Sequence, residues 1–167
     1  MCVTVVADRL ISWIFAKAIF SKTLSGESGG TVNYLLQNKK NADFLILGSS
    51  RAKFHINPSL LTNVYDANGY NAGISGTGGL IYNNLLLQLL VSKGVKPRLI
   101  ILQVDVYPYL TIENENATNE ISPLYPFLGE SDVVRTYISS HAGYAEKFKL
   151  LFHTYRYNGK FLNILYN

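Results

Sequence analysis

The sequence contains little cysteine, little histidine and little charge. Its 167 residues include one cysteine, Cys2, which excludes an intramolecular disulfide and provides no cysteine pattern for a metal site. The three histidines, His55, His141 and His153, lack the spacing of zinc motifs, so we expect no metal and no cofactor. Charged residues make up 16% of the chain and apolar residues 48%, a balance that excludes a disordered protein.

The positive charge of the chain is scattered and not concentrated in one segment. The formal net charge is +4, and no run of five or more basic residues occurs. This pattern is not typical of a nucleic-acid-binding protein, so we expect no nucleic-acid partner. A solvated face or an anionic membrane or envelope surface accounts for the surplus of basic residues equally well.

The first twenty residues are mostly apolar but contain Asp8, Arg9 and Lys17. The uncharged run between Arg9 and Lys17 is far shorter than the ~20 residues that a membrane-spanning helix needs. A signal peptide is not indicated, because a basic start and a small-residue cleavage site are both missing. Three interpretations stay open: an amphipathic helix at a membrane interface, the end of a membrane anchor, or a helix packed on the domain. The helical face on which they depend consists of Val3, Val6, Leu10, Trp13, Ile14 and Phe20.

The chain divides into four predicted segments. Residues 1–23 form an apolar or amphipathic helix, and residues 24–40 form a linker with a short helix. Residues 41–110 form an α/β core, and residues 111–167 form a loop followed by a helical tail rich in aromatic and basic residues. The length suits a chain that buries a hydrophobic core.

Strands and helices alternate within the predicted core. We predict strands over 43–48, 64–67 and 98–105, a brief helix that Asn57 caps, and a long helix over 80–93. This alternation predicts a parallel sheet with right-handed crossovers, in a flavodoxin-like three-layer α/β/α fold. With three recognisable strands, the sheet is expected to be small and incomplete at its C-terminal side.

A serine follows the first predicted strand directly. Its apolar run ends in Gly48-Ser49-Ser50, which is how a buried parallel strand delivers a hydroxyl to the carboxyl edge of a sheet. A serine that attacks an acyl carbon needs a base, a group that orients the base, and donors for the oxyanion. We expect Ser50 to be the nucleophile, Gly76 to donate its backbone N–H to the oxyanion, and Asp105 to face the same crevice.

Two sequence blocks carry a family resemblance. Leu45-Ile46-Leu47-Gly48-Ser49-Ser50 and Asn71-Ala72-Gly73-Ile74-Ser75-Gly76 are similar to the first two blocks of the SGNH/GDSL hydrolases. The resemblance covers about residues 40–110 and is strongest to the cell-envelope branches that act on O-acyl groups of polysaccharides. It implies that Ser50 is the nucleophile and that Gly76 is the oxyanion glycine.

The third and fourth blocks of that family differ in this chain. Where the family has Gly-x-Asn-Asp, the chain reads Leu102-Gln103-Val104-Asp105, so Asp105 is the nearest counterpart of the asparagine. The Asp-x-x-His element has no counterpart, because no aspartate stands three residues before His141 or His153. We therefore expect an N-terminal portion or a truncated relative of an SGNH hydrolase, inactive unless further residues supply the base.

Three further residues are candidates for substrate binding. Arg51 suits an anionic sugar or a phosphate, and His55 and Asn71 lie close to the predicted site in sequence. Each candidate has a structural alternative: a capping serine, a turn glycine, a loop-capping aspartate, a surface salt bridge or a structural histidine.

The leading hypothesis is a serine esterase or O-acyltransferase that acts on acylated glycans or another small ester. We expect it in the cell envelope, membrane-anchored or membrane-proximal and outside the cytoplasm; a cytoplasmic location is the alternative. The first alternative function is a non-catalytic carbohydrate-binding or assembly domain with the same fold. The second is a phosphate or nucleotide binder that uses the glycine-rich segment 73–79, although a Walker lysine and a Gly-x-Gly-x-x-Gly motif are missing.

Overall fold

A computed structural model describes most of the chain, in residues 2–27, 29–38, 42–76, 79–105 and 120–158. The chain groups into two compact units. One consists of Met1–Tyr34 with Ser122–Asn167, and the other of Leu35–Ile121. Residues 106–110 of the predicted core, residues 111–119 of the predicted loop, the last nine residues of the tail, and two residues of the glycine-rich turn lie outside the described residues.

The unit of residues 35–121 contains a parallel sheet of three described strands. They are β1 (Phe44–Leu47), β2 (Gly69–Asn71) and β3 (Leu99–Leu102). Their order is β2-β1-β3, so β1 lies in the middle, and Leu45 is opposite Tyr70 on one side and Ile100 on the other. The predicted mixed α/β fold with a small parallel sheet is confirmed.

Helices α3 (Ser50–His55), α4 (Pro58–Tyr65) and α5 (Leu80–Ser92) connect these strands. The predicted cap of α4 is confirmed, because Asn57 Oδ1 accepts a hydrogen bond from the Ser59 N–H at 2.9 Å. The strand predicted over 64–67 is wrong. Residues 64 and 65 belong to the last turn of α4, which ends at Tyr65. The next residue, Asp66, has a left-handed backbone conformation.

The strand that replaces this prediction begins at Gly69. A Cβ at Gly69 would lie 1.9 Å from the ring of Phe44 on β1, so the pairing needs a residue without a side chain. The β-branched and aromatic character of Val64 and Tyr65 suggested a strand, but the strong start at Asn57 and Pro58 carries the helix through them.

Strand β1 is buried along its whole length. On one face of the sheet, Phe44 and Ile46 pack against Ala52 of α3 and Leu61 of α4. On the other face, an apolar groove of about 410 Å³ lies between the sheet and α5, and Leu47 and Leu102 line it. Helical side chains therefore accompany both faces, which is consistent with a three-layer arrangement.

The other unit is helical in its described part. It contains α1 (Cys2–Ala18), most of α2 (Gly30–Gln37), α6 (Asp132–His141), α7 (Tyr144–Leu150), and 3-10 helices at Phe20–Lys22, Ser122–Phe127 and Thr154–Tyr157. The helical part of the predicted tail is present as the two helices α6 and α7. Ser131 caps the first of them, because its Oγ accepts a hydrogen bond from the Val134 N–H at 3.3 Å.

Aromatic rings form the centre of this unit. The Tyr157 ring lies 4.9 Å from that of Phe15 and 5.3 Å from that of Phe20, which in turn lies 5.5 Å from Phe127. The predicted N-terminal helix is confirmed as an element, but Phe20 does not belong to its apolar face. Phe20 lies beyond the end of α1 and is buried, whereas the other members of that face are exposed. Among the described helices, none is both long and apolar enough to cross a bilayer.

Candidate functional site

The chain leaves β1 through a tightly packed glycine. Gly48 has a φ of 145°, a value that side-chain-bearing residues rarely adopt. A Cβ at this position would lie 2.9 Å from the Cβ atoms of Ala52 and Gln103. The Gly48 N–H donates a hydrogen bond to Oδ1 of the buried Asn83 at 3.2 Å. The turn that presents the two serines is therefore held on both sides.

Ser49 connects this turn to the end of β3. Its backbone N–H and its hydroxyl donate hydrogen bonds to Gln103 Oε1, at 3.2 Å and 2.9 Å. The same hydroxyl oxygen accepts a hydrogen bond from the Arg51 N–H at 3.3 Å and so caps α3. Ser49 is thus the serine that the structure ties into the polar network.

Asp105 is the anionic centre of that network. Its Oδ1 accepts hydrogen bonds from Gln103 Nε2 at 2.6 Å and from Arg51 Nη1 at 2.7 Å. Hydrogen bonding by the Ser49 hydroxyl, then by Gln103, and the charge of Arg51 lower the pKa of Asp105, and burial opposes them. The single proton of the Ser49 hydroxyl serves either this carboxylate or Gln103 Oε1. Asp105 is therefore a stable carboxylate and a weak proton acceptor.

Ser50 occupies the first position of α3 and is half-buried. Within the described part of the chain, no hydrogen bond reaches its hydroxyl, and no histidine contacts it. His55 is exposed at the other end of the same helix, where five residues correspond to a rise of about 7.5 Å. An activated serine has its base within hydrogen-bond reach, so the described residues provide the hydroxyl without its base.

Asn71 performs a structural task at the end of β2. Its Nδ2 donates hydrogen bonds to the carbonyl oxygens of Ala52 and Ile56, both at 2.7 Å, at the C-terminal end of α3. Its Oδ1 accepts a hydrogen bond from the Gly73 N–H at 2.9 Å. The amide thus closes α3 and fixes the following loop, and both of its N–H groups are engaged.

Gly76 lies further along this loop. It is exposed, has a φ of 73°, and a Cβ there would meet no atom within 4 Å. No hydrogen bond between described residues joins Gly76 or His55 to the Ser49–Gln103–Asp105 network, so their predicted roles stay predictions. At the start of α5, Glu120 Oε2 lies 2.9 Å from the position of a Cβ on Gly79. A carboxylate there disfavours a bound phosphate.

The sequence prediction missed two amide side chains, Gln103 and Asn83. Gln103 directly follows Leu102, the last residue of β3. The register places Leu102 opposite Leu47, which directly precedes Gly48. A polar residue at the end of an apolar strand was the available signal for it. Asn83 is buried within the leucine-rich helix α5, where an amide among core residues indicates a hydrogen-bonding task.

Metal-binding side chains do not cluster in the described ranges: no group of three or more His, Cys, Asp or Glu residues lies together there. No protein-family model matches the chain, and neither does any curated protein or solved structure.

Proposed function

We propose that residues 35–121 form an SGNH-like domain for acyl-ester chemistry, with Ser50 as nucleophile and an acylated envelope glycan as substrate. The observation that supports this most is the place of Ser50. It follows the middle strand β1 at the carboxyl edge of the sheet, with β2 on one side and β3 on the other. In such sheets, ligands bind at the carboxyl edge where the strand order reverses.

The proposal includes the flavodoxin-like three-layer fold. The order β2-β1-β3 matches the beginning of the flavodoxin-like order 2-1-3-4-5. In a sheet of that order, β3 is an inner strand with a neighbour on each side. The apolar side chains that β3 exposes, such as Leu99 and Ile100, are of the type that a further strand and helix would cover.

Each residue near Ser50 has a role in this proposal. The Ser49–Gln103–Asp105 network holds the turn, and the Arg51 guanidinium, two-thirds exposed, has further N–H groups for an anionic glycan. Attack by Ser50 on the ester carbonyl moves negative charge to the carbonyl oxygen, and the Gly76 N–H is the proposed donor to it.

The proton of Ser50 needs an acceptor that the described residues of this unit do not provide. His55 is the only histidine among residues 35–121, and it lies at the far end of α3. Asp105 is unsuitable, because its hydrogen bonds and the charge of Arg51 favour the ionised carboxylate. The proposal therefore requires a base that these residues do not include.

One observation favours the second candidate, a domain that binds a glycan without cleaving it. The charged groups beside Ser50 are engaged with each other, since Arg51 Nη1 lies 2.7 Å from Asp105 Oδ1. Such an arrangement presents a cation and hydroxyl groups to a sugar and needs no base.

A fluorophosphonate probe distinguishes the two candidates. We expect the wild-type chain to be labelled at Ser50 when imidazole is added in place of the absent base, as located by fragmentation mass spectrometry of the peptide that holds both serines. Ser50→Ala should abolish the labelling, because the nucleophilic oxygen is gone. Ser59→Ala, at the start of the neighbouring helix α4, is the matched control and should be labelled like the wild type.

Labelling of Ser49 in place of Ser50 would contradict the assignment of the nucleophile. A wild-type chain that stays unlabelled in the presence of imidazole would contradict the catalytic proposal and leave the binding candidate. That candidate is tested by calorimetry with an acetylated anionic oligosaccharide, for which Arg51→Ala should weaken binding by about tenfold, the loss of one charge-assisted contact.

A further inference from the structure

Helix α1 exposes several large apolar side chains and buries two of its polar ones. Its polar residues Asp8 and Ser12 are buried, and the exposed fraction of Asp8 is only 8%. The side of α1 that faces solvent carries large apolar side chains along the length of the helix. They are Val3, Val6, Leu10, Trp13 and Ile14, and we refer to them as the outward face.

The rotation of α1 about its axis is fixed by Asp8. Its carboxylate accepts hydrogen bonds from the His153 N–H at 2.7 Å and from the N–H and hydroxyl of Thr154 at 3.0 Å and 2.5 Å. These donors belong to the first turn of the last described 3-10 helix, which the carboxylate caps. Because Asp8 must point inward, the outward face must point away from the unit.

The charges that accompany the outward face are all positive. Asp8 is the only acidic residue among the first 26, and it is buried. Arg9, Lys17 and Lys22 are exposed. A helix with an exposed apolar stripe, an exposed tryptophan and flanking cations is typical of binding at an anionic lipid surface.

An apolar groove continues the outward face. It has a volume of about 330 Å³ and is lined by Ile11, Ile14, Phe15, Ile19 and Tyr157. Ile14 belongs to both the groove and the outward face, so a lipid acyl chain that contacts the face can also enter the groove.

We propose that the outward face of α1 docks on an anionic lipid bilayer and lies parallel to its surface. A second copy of the chain suits this face less well. Each copy would bring exposed cations and no exposed acid of α1 to the contact, whereas anionic headgroups neutralise these charges. The proposal concerns α1 alone and is independent of the chemistry at Ser50.

The test uses Trp13, the single tryptophan of the chain, whose exposed fraction is 61%. Vesicles of phosphatidylcholine with phosphatidylglycerol should shift its emission to shorter wavelength and should sediment with the full chain. Vesicles of phosphatidylcholine alone should bind more weakly, and added salt should reduce the binding to anionic vesicles.

Two variants and one control complete the test. Leu10→Glu places a charge in the outward face and should abolish both the shift and the co-sedimentation. Lys17→Glu should weaken binding to anionic vesicles about fivefold or more, which corresponds to about 1 kcal/mol for each basic residue. Leu60→Glu, which changes an equally exposed leucine on α4, should bind like the wild type.

Three results would overturn the proposal. The first is a wild-type chain that shows no shift and no co-sedimentation with anionic vesicles. The second is Leu10→Glu binding as tightly as the wild type while its circular dichroism is unchanged. The third is a Trp13 shift that depends on protein concentration without lipid, because this would show that a second copy covers the face.

Discussion

At the scale of single residues, the imidazole of His153 has a strongly lowered pKa. Burial, followed by the charges of Arg156 and Arg9, lowers the pKa of its imidazole from 6.5 to about 4, and the charge of Asp8 opposes them. In the unfolded chain the same imidazole takes up a proton near pH 6.5. The unfolded state therefore binds more protons between these two pH values, and protonation favours unfolding.

We predict that the contribution of His153 to the free energy of unfolding is greatest above pH 6.5. This contribution is lost as the pH is lowered to about 4. The difference between the two pKa values sets an upper limit of about 3 kcal/mol on the loss, and solvent screening of this partly exposed group reduces it to about 1–2 kcal/mol. His153→Gln should remove most of this loss, as measured by urea denaturation at a series of pH values. His141→Gln, on the exposed side of α6, is the control for removing a histidine. An unchanged slope in His153→Gln would contradict the prediction.

Asp8 acts in a separate and lower pH range. Burial raises the pKa of its carboxyl, but hydrogen bonds from Thr154 and His153 outweigh this effect, so the pKa lies below 3.8. A carboxyl of this kind stabilises the fold above its unfolded pKa, and the stabilisation is lost as the pH falls through the folded pKa. The contributions of Asp8 and His153 can therefore be separated by pH.

The same scale shows how far the sequence could predict the candidate site. Ser50, Arg51 and Asp105 were selected because they follow apolar strands, and the structure does bring Arg51 and Asp105 into an ion pair. The structure engages Ser49, and not Ser50, with the amide of Gln103. A residue pattern specifies which chain segments meet at the sheet edge, but not which hydroxyl turns inward.

At the scale of elements, the turn from β1 into α3 depends on close packing around Gly48. Its positive φ alone would strain any other residue. In addition, a Cβ would lie within 2.9 Å of side-chain atoms of both Ala52 and Gln103, which are fixed on α3 and at the end of β3. Glycine is therefore required at position 48 both by the positive φ and by the lack of space for a Cβ atom.

We predict that Gly48→Ala lowers the free energy of unfolding by roughly 3 kcal/mol or more, the combined cost of a strained φ and an overpacked contact. Gly94→Ala is the matched control, because Gly94 has a φ of 89° but open space around its Cβ position. Its cost should be limited to about 1 kcal/mol from the backbone conformation. Chemical denaturation of both variants measures the difference, and equal losses would show that steric contact at Gly48 is unimportant.

The elements themselves were predictable to different degrees. The long apolar stripe and the terminal Gly94 defined α5 almost to the residue. The second strand was misplaced, because β2 has only three residues and its position depends on the contact of Gly69 with the Phe44 ring. Local sequence cannot report a contact between residues 25 positions apart.

At the scale of the whole sheet, β3 is an edge strand among the described strands and carries large apolar side chains. Leu99 is 51% exposed, and Ile100 and Leu102 are each 41% exposed. Apolar grooves flank the strand on both faces of the sheet. Natural proteins commonly protect such an edge with charges or with a covering element, since an unprotected apolar edge pairs with other chains.

The described strands do not include the second neighbour that the flavodoxin-like order gives β3. We therefore predict that the chain self-associates through β3 and that Leu99→Lys weakens this association. A lysine at this position adds a charge to the edge strand and repels the same lysine in a second copy. The dissociation constant of the association should therefore rise at least about tenfold, which is the effect of losing one buried leucine contact. Sedimentation velocity over a range of concentrations measures it. Val64→Lys changes an exposed apolar residue on α4 and should associate like the wild type. If Leu99→Lys also associates like the wild type, the edge of β3 is not the contact surface, and its apolar side chains must be covered in another way.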